Sequence, residues 1–92
     1  MFAIAFDLDV HDTALNHPKS LIHAYKDIRG AMQRNGFEWK QGSVYTSTEA
    51  GLVQLFTAMN ELKALTWFPR SVRNIRAFRM ENYSDFTEMM KR

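Results

Sequence analysis

The first eight residues alternate large and small side chains until an acid ends the pattern. The large ones occupy one side and the small or acidic ones the other: Phe2, Ile4, Phe6 and Leu8 against Ala3, Ala5 and Asp7. A period of two predicts a β-strand whose bulky face is covered by helices. The small face predicts close packing of another backbone or a second subunit. Asp7 brings a carboxylate to the C-terminal edge of this strand, where small domains often build acidic reaction sites.

The length of the chain and its lack of cysteine limit how such a strand can be stabilised. A chain of 92 residues predicts one domain over residues 1–92, which buries about two thirds of its unfolded surface. Without cysteine there is no disulfide and no thiolate-bound zinc, and small domains of this kind often gain core by oligomerising. No apolar run reaches about 18 residues and Asp7 interrupts the N-terminal apolar stretch, which predicts a cytoplasmic protein without membrane contact.

A first helix is predicted after a polar loop at residues 9–17. Pro18 is favoured at a first helical position, and Asn35-Gly36 ends the helix because Gly36 can adopt the left-handed conformation. Apolar residues at spacings of three and four predict its buried stripe. The stripe consists of Leu21, Tyr25, Ile28 and Met32.

A second helix is predicted with Ser47 or Thr48 as its N-cap, and Trp67-Phe68-Pro69 interrupts it. Its predicted buried stripe consists of Leu52, Leu55, Phe56, Met59 and Leu62. A hairpin precedes this helix, and a strand and a short amphipathic segment follow it. The hairpin joins residues 37–39 to 44–46, the strand covers roughly 72–80, and the last segment contains Phe86, Met89 and Met90.

The resulting order, β-α-β-β-α-β with a short C-terminal extension, predicts an α+β protein of the ferredoxin-like type. In this arrangement a four-stranded antiparallel sheet carries two helices on one face. The other face is left bare. In so small a chain, that bare face must be polar, bind a ligand or meet a second copy.

Positive charge is concentrated near the C-terminus, where residues 70–92 hold six basic and three acidic side chains. Four arginines are spaced by three, and a guanidinium suits phosphate recognition. In a regular strand, Arg73 and Arg79 would share a face with Ile75 and Ala77, and Arg76 would lie beside Val72 and Phe78. The series Arg70, Arg73, Arg76 and Arg79 therefore predicts a phosphate-bearing substrate such as RNA, with Arg73 and Arg76 as its contacts. Surface or interchain salt bridges are the alternative.

The acids near the first strand have two interpretations. Asp7 can act as a general base toward a ribose 2′-hydroxyl, or it can bind Mg²⁺ together with Asp9. Alternatively, Asp7 caps a loop or pairs with an arginine. Asp9, His11 and Asp12 also fit a solvated surface loop.

Hydroxyl and aromatic groups of the hairpin complete the candidate site. Ser43 and Tyr45 can bind phosphate oxygens beside Asp7, and Trp39 can stack on an unpaired base. Turn formation is the alternative role for Ser43, and core packing is the alternative for Trp39.

Three blocks of sequence resemble the virulence-associated protein D (VapD) family. They are Phe6-Asp7-Leu8, the run Gly36-Phe37-Glu38-Trp39 with Gln41-Gly42-Ser43-Val44-Tyr45, and Ser71 to Phe78 followed by Tyr83 to Glu88. The resemblance implies a ferredoxin-like homodimer related to the small CRISPR-associated endoribonucleases. It also implies a ribonuclease toxin paired with a protein antitoxin. In the CRISPR-associated relatives the acidic site residue is an aspartate at the end of the first strand, and Asp7 is the matching position here.

Two other functions compete with RNA cleavage. A non-catalytic module could bind RNA or a protein on the bare sheet face. A metabolite-binding regulatory domain also fits the fold, since fold alone does not fix function. It ranks last because the only anion-cradling candidate in the sequence is Gln41-Gly42-Ser43.

Overall fold

Strand β1 lies inside the sheet and pairs with a strand on each side. The computed structural model describes residues 1–92 and contains four strands and four helices. The strands are β1 Phe2–Leu8, β2 Glu38–Gln41, β3 Val44–Ser47 and β4 Val72–Arg79. The helices are α1 Val10–Asn16, α2 Leu21–Arg34, α3 Leu52–Ala64 and α4 Thr87–Lys91. The sheet order is β2-β3-β1-β4 with every pair antiparallel, so the predicted ferredoxin-like fold is confirmed.

The bulky face of β1 forms the centre of the core, as its alternation predicts. Ile4, Phe6 and Leu8 are buried in one cluster with residues of α2 and α3. The helix contributions are Ala24, Ile28, Ala31 and Met32 from α2, and Leu55, Ala58 and Leu62 from α3. The opposite face of β1 carries Ala3, which is fully buried, and Asp7, which is exposed.

The predicted buried stripes are confirmed only in part, because Ile28 and Met32 of α2 and Leu55 and Leu62 of α3 are buried. Tyr25 of α2 is exposed, and Leu52 and Phe56 of α3 are 57% and 63% exposed. Ala24, Ala31 and Ala58 fill the other buried positions, where their small side chains allow the helix backbones to approach the sheet. None of the helices is long and apolar enough to span a bilayer.

Both predicted helix starts are also corrected. Helix α2 begins at Leu21 rather than near Pro18, because the Ser20 hydroxyl accepts the His23 N–H at 3.3 Å as an N-cap. Helix α3 has Gly51 as its N-cap, whereas the Ser47 hydroxyl caps the preceding turn by accepting the Ala50 N–H at 2.9 Å.

The predicted end of α2 is confirmed. Gly36 has a φ of +82°, which is the left-handed region that favours glycine. The Phe37 N–H donates to the Met32 carbonyl at 3.0 Å, and both side chains are buried in the core. This turn directs the chain from α2 into the β2–β3 hairpin.

Residues 9–17 are not a loop, since they contain the two-turn helix α1. Asp9 is its N-cap, and its carboxylate accepts the Asp12 N–H at 2.8 Å. The Thr13 hydroxyl donates to the Asp9 carbonyl at 2.6 Å, and Thr13 is fully buried. Polar capping rather than an apolar stripe forms this helix, which is why hydrophobic spacing did not predict it.

Candidate functional site

A β-bulge between β1 and β4 lies where β1 ends. Asp7 pairs with Asn74 and Leu8 with Val72, so that Arg73 is the extra residue of β4. Bulges re-aim a side chain and occur often beside active sites. The predicted regular alternation is therefore wrong at this end of β4, because Val72 packs against the core on the side of Ile75. Farther along the strand it holds, with Arg76 and Phe78 on one face.

The re-aimed Arg73 lies between two carboxylates. Its Nη2 donates to Asp9 Oδ2 at 3.0 Å, and its Nη1 lies 3.9 Å from Asp7 Oδ2. The side chains of Asp7 and Arg73 are 55% and 61% exposed, whereas that of Asp9 is 26% exposed. We call Asp7, Asp9 and Arg73 the acid–arginine cluster. It is open to solvent and can meet a polymer lying across the surface.

Helix α1 fixes Asp9 within this cluster. The Asp12 N–H is the largest influence lowering the pKa of Asp9 below its usual value, and the Arg73 hydrogen bond lowers this pKa further. Asp9 in turn raises the pKa of the Arg73 guanidinium. Asp9 is therefore held as an anion with both its oxygens engaged, and Asp7 is left as the freer carboxylate.

The structure brings Ser43 close to the cluster but keeps Tyr45 apart from it. The Phe6 N–H donates to the Ser43 carbonyl at 3.1 Å, one residue before Asp7. Tyr45 pairs with Ile4, is buried in the core and stacks on Phe6 with ring centroids 6.2 Å apart. Its side chain therefore lies on the helix-covered face, opposite to Asp7.

Trp39 belongs to a different surface, at the β2 edge of the sheet. The Arg29 guanidinium of α2 lies 5.1 Å from the Trp39 ring centroid. The Trp39 Nε1–H donates to the Gly42 carbonyl at 2.9 Å, and 48% of the residue is exposed. Because β3 lies between β2 and β1, the pair Arg29–Trp39 is separate from the acid–arginine cluster.

The remaining arginines extend along β4. Arg76 pairs with Ala5, and residues 5 and 7 of a strand share a face, so Arg76 lies on the same sheet face as Asp7. Its side chain is exposed and forms no salt bridge. Arg79 lies over the Phe2 ring at 5.1 Å. Sequence reasoning missed Asn74, which the register places beside Asp7 on this face. Only the register between β1 and β4 reveals its position, because the two strands lie far apart along the chain.

The acid–arginine cluster lines no cavity. The two largest cavities, of about 470 and 370 Å³, are lined by hairpin and tail residues including Lys40 and Tyr83. Small-molecule sites are usually concave, whereas a phosphate backbone can be contacted on an open surface. The geometry therefore disfavours a small-molecule site at the acid–arginine cluster.

The donor set does not fit a Mg²⁺ ion shared by Asp7 and Asp9. The Arg73 guanidinium lies between the two carboxylates, and no third acid, histidine or cysteine joins them. A shared cation would need to displace Arg73. We therefore derive no step through a metal.

Comparison with known proteins gives a consistent group of relatives. The chain is 56% identical over 91 residues to the "Endoribonuclease VapD homolog" of Neisseria gonorrhoeae. It is 48% identical over 91 residues to "Endoribonuclease VapD" of Haemophilus influenzae and 45% identical over 93 residues to that of Helicobacter pylori. Each alignment covers 99% of both chains. No protein-family model matches the chain.

Proposed function

Because the chain belongs to the VapD family, we propose that it is an endoribonuclease whose reaction centre is the acid–arginine cluster. One observation carries the assignment of the site: a guanidinium lies between two carboxylates at the exposed end of β1. The cluster offers a proton acceptor and a fixed positive charge side by side. Cleavage of a phosphodiester through the neighbouring hydroxyl needs both.

The proposed reaction starts with proton transfer from a ribose 2′-hydroxyl to the Asp7 carboxylate. The 2′-oxygen then attacks the adjacent phosphorus, and the bond from phosphorus to the 5′-oxygen breaks. Water supplies the proton for the leaving 5′-oxygen, so the products carry a 2′,3′-cyclic phosphate and a 5′-hydroxyl. Arg73 stabilises the charge that builds on the phosphoryl oxygens, and Asp9 orients Arg73.

Besides the reaction centre, substrate binding would use groups on β4 and on the β2–β3 hairpin. Arg76 shares a sheet face with Asp7 and has no acidic partner, so we assign it to a neighbouring phosphate. Trp39 offers a half-exposed ring for base stacking at the β2 edge, on the sheet face opposite to Asp7, so it would contact a base only where the RNA passes around this edge. The Ser43 backbone pairs with Phe6, next to Asp7, so we assign its hydroxyl to a phosphate oxygen beside the centre, whereas Tyr45 supports β1 by stacking on Phe6.

The decisive experiment compares cleavage of a single-stranded oligoribonucleotide by the wild type and by Asp7→Asn, with and without a chelator. Glu49→Gln is the matched control, since it removes an exposed charge beside a cavity at the opposite end of the sheet. The proposal expects loss of cleavage only in Asp7→Asn and a cyclic phosphate on the product. A 5′-phosphate product, or wild-type cleavage by Asp7→Asn, would contradict it.

A non-catalytic binding module is the second candidate, because the exposed Arg76 is free to bind without any chemistry. It predicts RNA binding without new chain ends. For single strands the slope of log affinity against log salt is about −0.7 per neutralised phosphate, so three or four arginines give roughly −2 to −3. A flat salt response would leave a protein as the partner.

We also propose a homodimer and a toxin role, both implied by the family resemblance. Phe78 is 47% exposed on the bare sheet face, and its burial against a second copy would explain an apolar residue there. Light scattering of the wild type and Phe78→Asp tests the dimer. Growth arrest on expression, relieved by co-expression of a protein antitoxin, tests the toxin role.

A further inference from the structure

Helix α1 is tied at both ends to the chain just before β4. At its start, the Asp9 N–H donates to the Ser71 carbonyl at 2.8 Å. At its end, Asn16 Nδ2 donates to the Arg70 carbonyl at 3.4 Å and to Ser71 Oγ at 3.5 Å. The Ser71 hydroxyl donates onward to the Trp67 carbonyl at 2.7 Å. These contacts connect α1 to the segment that enters the bulge at Arg73.

Apolar packing does little to orient α1. Thr13 is its only buried residue, whereas Val10 and Leu15 are 54% and 70% exposed. The buried His17 fixes where the helix ends, since it packs on Trp67 with ring centroids 5.0 Å apart. Rotation of the helix about its own axis is then limited mainly by polar contacts. At its C-terminal end His17 bonds to Asp27 of α2 at 2.8 Å, and Asn16 supplies the contacts that reach the segment before β4.

We propose that Asn16 is a positioning residue for the acid–arginine cluster, acting by holding α1 so that its N-cap, Asp9, meets Arg73. The inference rests on the proposed function, because the cluster must be the reaction centre for Asn16 to influence rate. Asn16 itself touches no group of the cluster. Small displacements of a catalytic group lower the rate strongly, so a loosened α1 should slow the chemical step.

Two substitutions separate the hydrogen bond from the shape of the side chain. Asn16→Ala removes the donor, and water can then reach the exposed Arg70 carbonyl. Asn16→Asp keeps the shape but directs carboxylate oxygens at that carbonyl and at a hydroxyl whose proton already goes to Trp67. Asn16→Asp should therefore lower kcat more than Asn16→Ala does. Asn60→Asp is the matched control, since Asn60 is exposed on α3 and forms no side-chain hydrogen bond.

The experiment measures kcat and KM for a single-stranded oligoribonucleotide, together with the salt dependence of binding and the midpoint of thermal unfolding. We expect kcat to fall about fivefold in Asn16→Ala and more than about tenfold in Asn16→Asp, while KM and the salt slope stay close to wild type. Asn60→Asp should match the wild type. Unchanged kcat in both Asn16 variants would overturn the inference. So would a loss of activity that is explained by a lower unfolding midpoint, with kcat per folded molecule unchanged.

Asp7→Asn in the same series separates the two failures. If Asp7→Asn is inactive while both Asn16 variants keep wild-type kcat, the positioning role is wrong and the reaction centre stands. If Asp7→Asn cleaves normally, the reaction centre is wrong and the positioning role falls with it. Should Asn16→Asp fail to fold, the kcat of Asn16→Ala decides alone.

Discussion

Two arginines mark two different surfaces of this sheet. Arg73, at the β1–β4 end, lies between carboxylates 3.0 and 3.9 Å away, whereas Arg29, at the β2 edge, lies over the Trp39 ring at 5.1 Å. The two carboxylates fix the Arg73 guanidinium in orientation, and the freer of them, Asp7, is the proposed proton acceptor. An aromatic partner leaves the other face of the ring available for stacking. The same residue type therefore suits chemistry at one end and binding at the other.

Loss of the Asp7 carboxylate should cause the largest change in rate and should separate catalysis from binding. General-base catalysis contributes about 10²- to 10⁴-fold, so Asp7→Asn should lower kcat by at least about 10²-fold. Affinity for RNA should hold or rise, because one negative charge near Arg73 disappears. Single-turnover cleavage and filter binding measure the two quantities. Equal losses of affinity and of rate would mean that the Arg73 end of the sheet serves binding as well, which contradicts a division between a reaction surface and a binding surface.

The same substitution at the two arginines sharpens the comparison. Lysine keeps the charge but lacks the fork that reaches two oxygens, so Arg73→Lys should lower kcat by about 10²-fold. Arg29→Lys should leave kcat unchanged and raise KM only slightly, because its ammonium can still lie over Trp39. Steady-state kinetics on both variants decides the matter. A kcat loss in Arg29→Lys would place chemistry at the β2 edge.

The success of sequence reasoning differed between these surfaces for a physical reason. The alternation in β1 and the left-handed Gly36 are local properties, and both were predicted. The bulge at Arg73 depends on the pairing of β1 with β4, which lie far apart along the chain, so no local pattern encodes it. Tyr45 shows the same limit, because only the β1–β3 register reveals that it faces the core.

The sequence does not predict helix α1, because capping hydrogen bonds and not an apolar stripe stabilise it. The sequence predicts Asp9 as a candidate cation ligand or as a solvated loop residue, whereas its carboxylate caps α1 and binds Arg73. Nothing in the sequence distinguishes the two uses of an acid after a strand. Asn16, which joins α1 to Ser71 in the segment before β4, belongs to no motif.

Asp9→Asn should have an intermediate effect. Asparagine caps a helix about as well as aspartate, so α1 should persist while the ion pair with Arg73 is lost. We expect kcat to fall about tenfold because Arg73 is no longer held, with little change in the unfolding midpoint. Kinetics and circular dichroism of Asp9→Asn and Asp9→Ala measure the two parts. If only Asp9→Ala loses activity, the cap alone matters.

Trp39→Ala should affect binding alone and by less. Base stacking contributes about 1–3 kcal/mol per base, and a half-exposed platform belongs at the lower end, so KM should rise about fivefold at constant kcat. Phe56→Ala is the control, since it removes another exposed aromatic ring, on α3. An equal change in both variants would mean that Trp39 is no specific platform.

The smallest expected effect concerns stability in acid. The pKa of Asp9 is lowered from 3.8 by the Asp12 N–H and then by Arg73, and that of Asp85 is lowered by the Thr87 hydroxyl and N–H. A carboxylate whose pKa is lowered in the folded state stabilises the protein at any pH above its unfolded-state pKa. This stability is lost as pH falls through the pKa of the folded state.

Asp9→Asn should therefore flatten the fall of the unfolding midpoint as pH drops below about 4, the usual pKa of an aspartate. Asp85→Asn should alter it less, because Asp85 lies in the exposed segment before α4, which buries no residue and whose local unfolding leaves the sheet intact. Thermal unfolding of the two variants across this range measures the difference. An equal flattening in both would show that the tail is as firmly coupled to the fold as the end of β1 is.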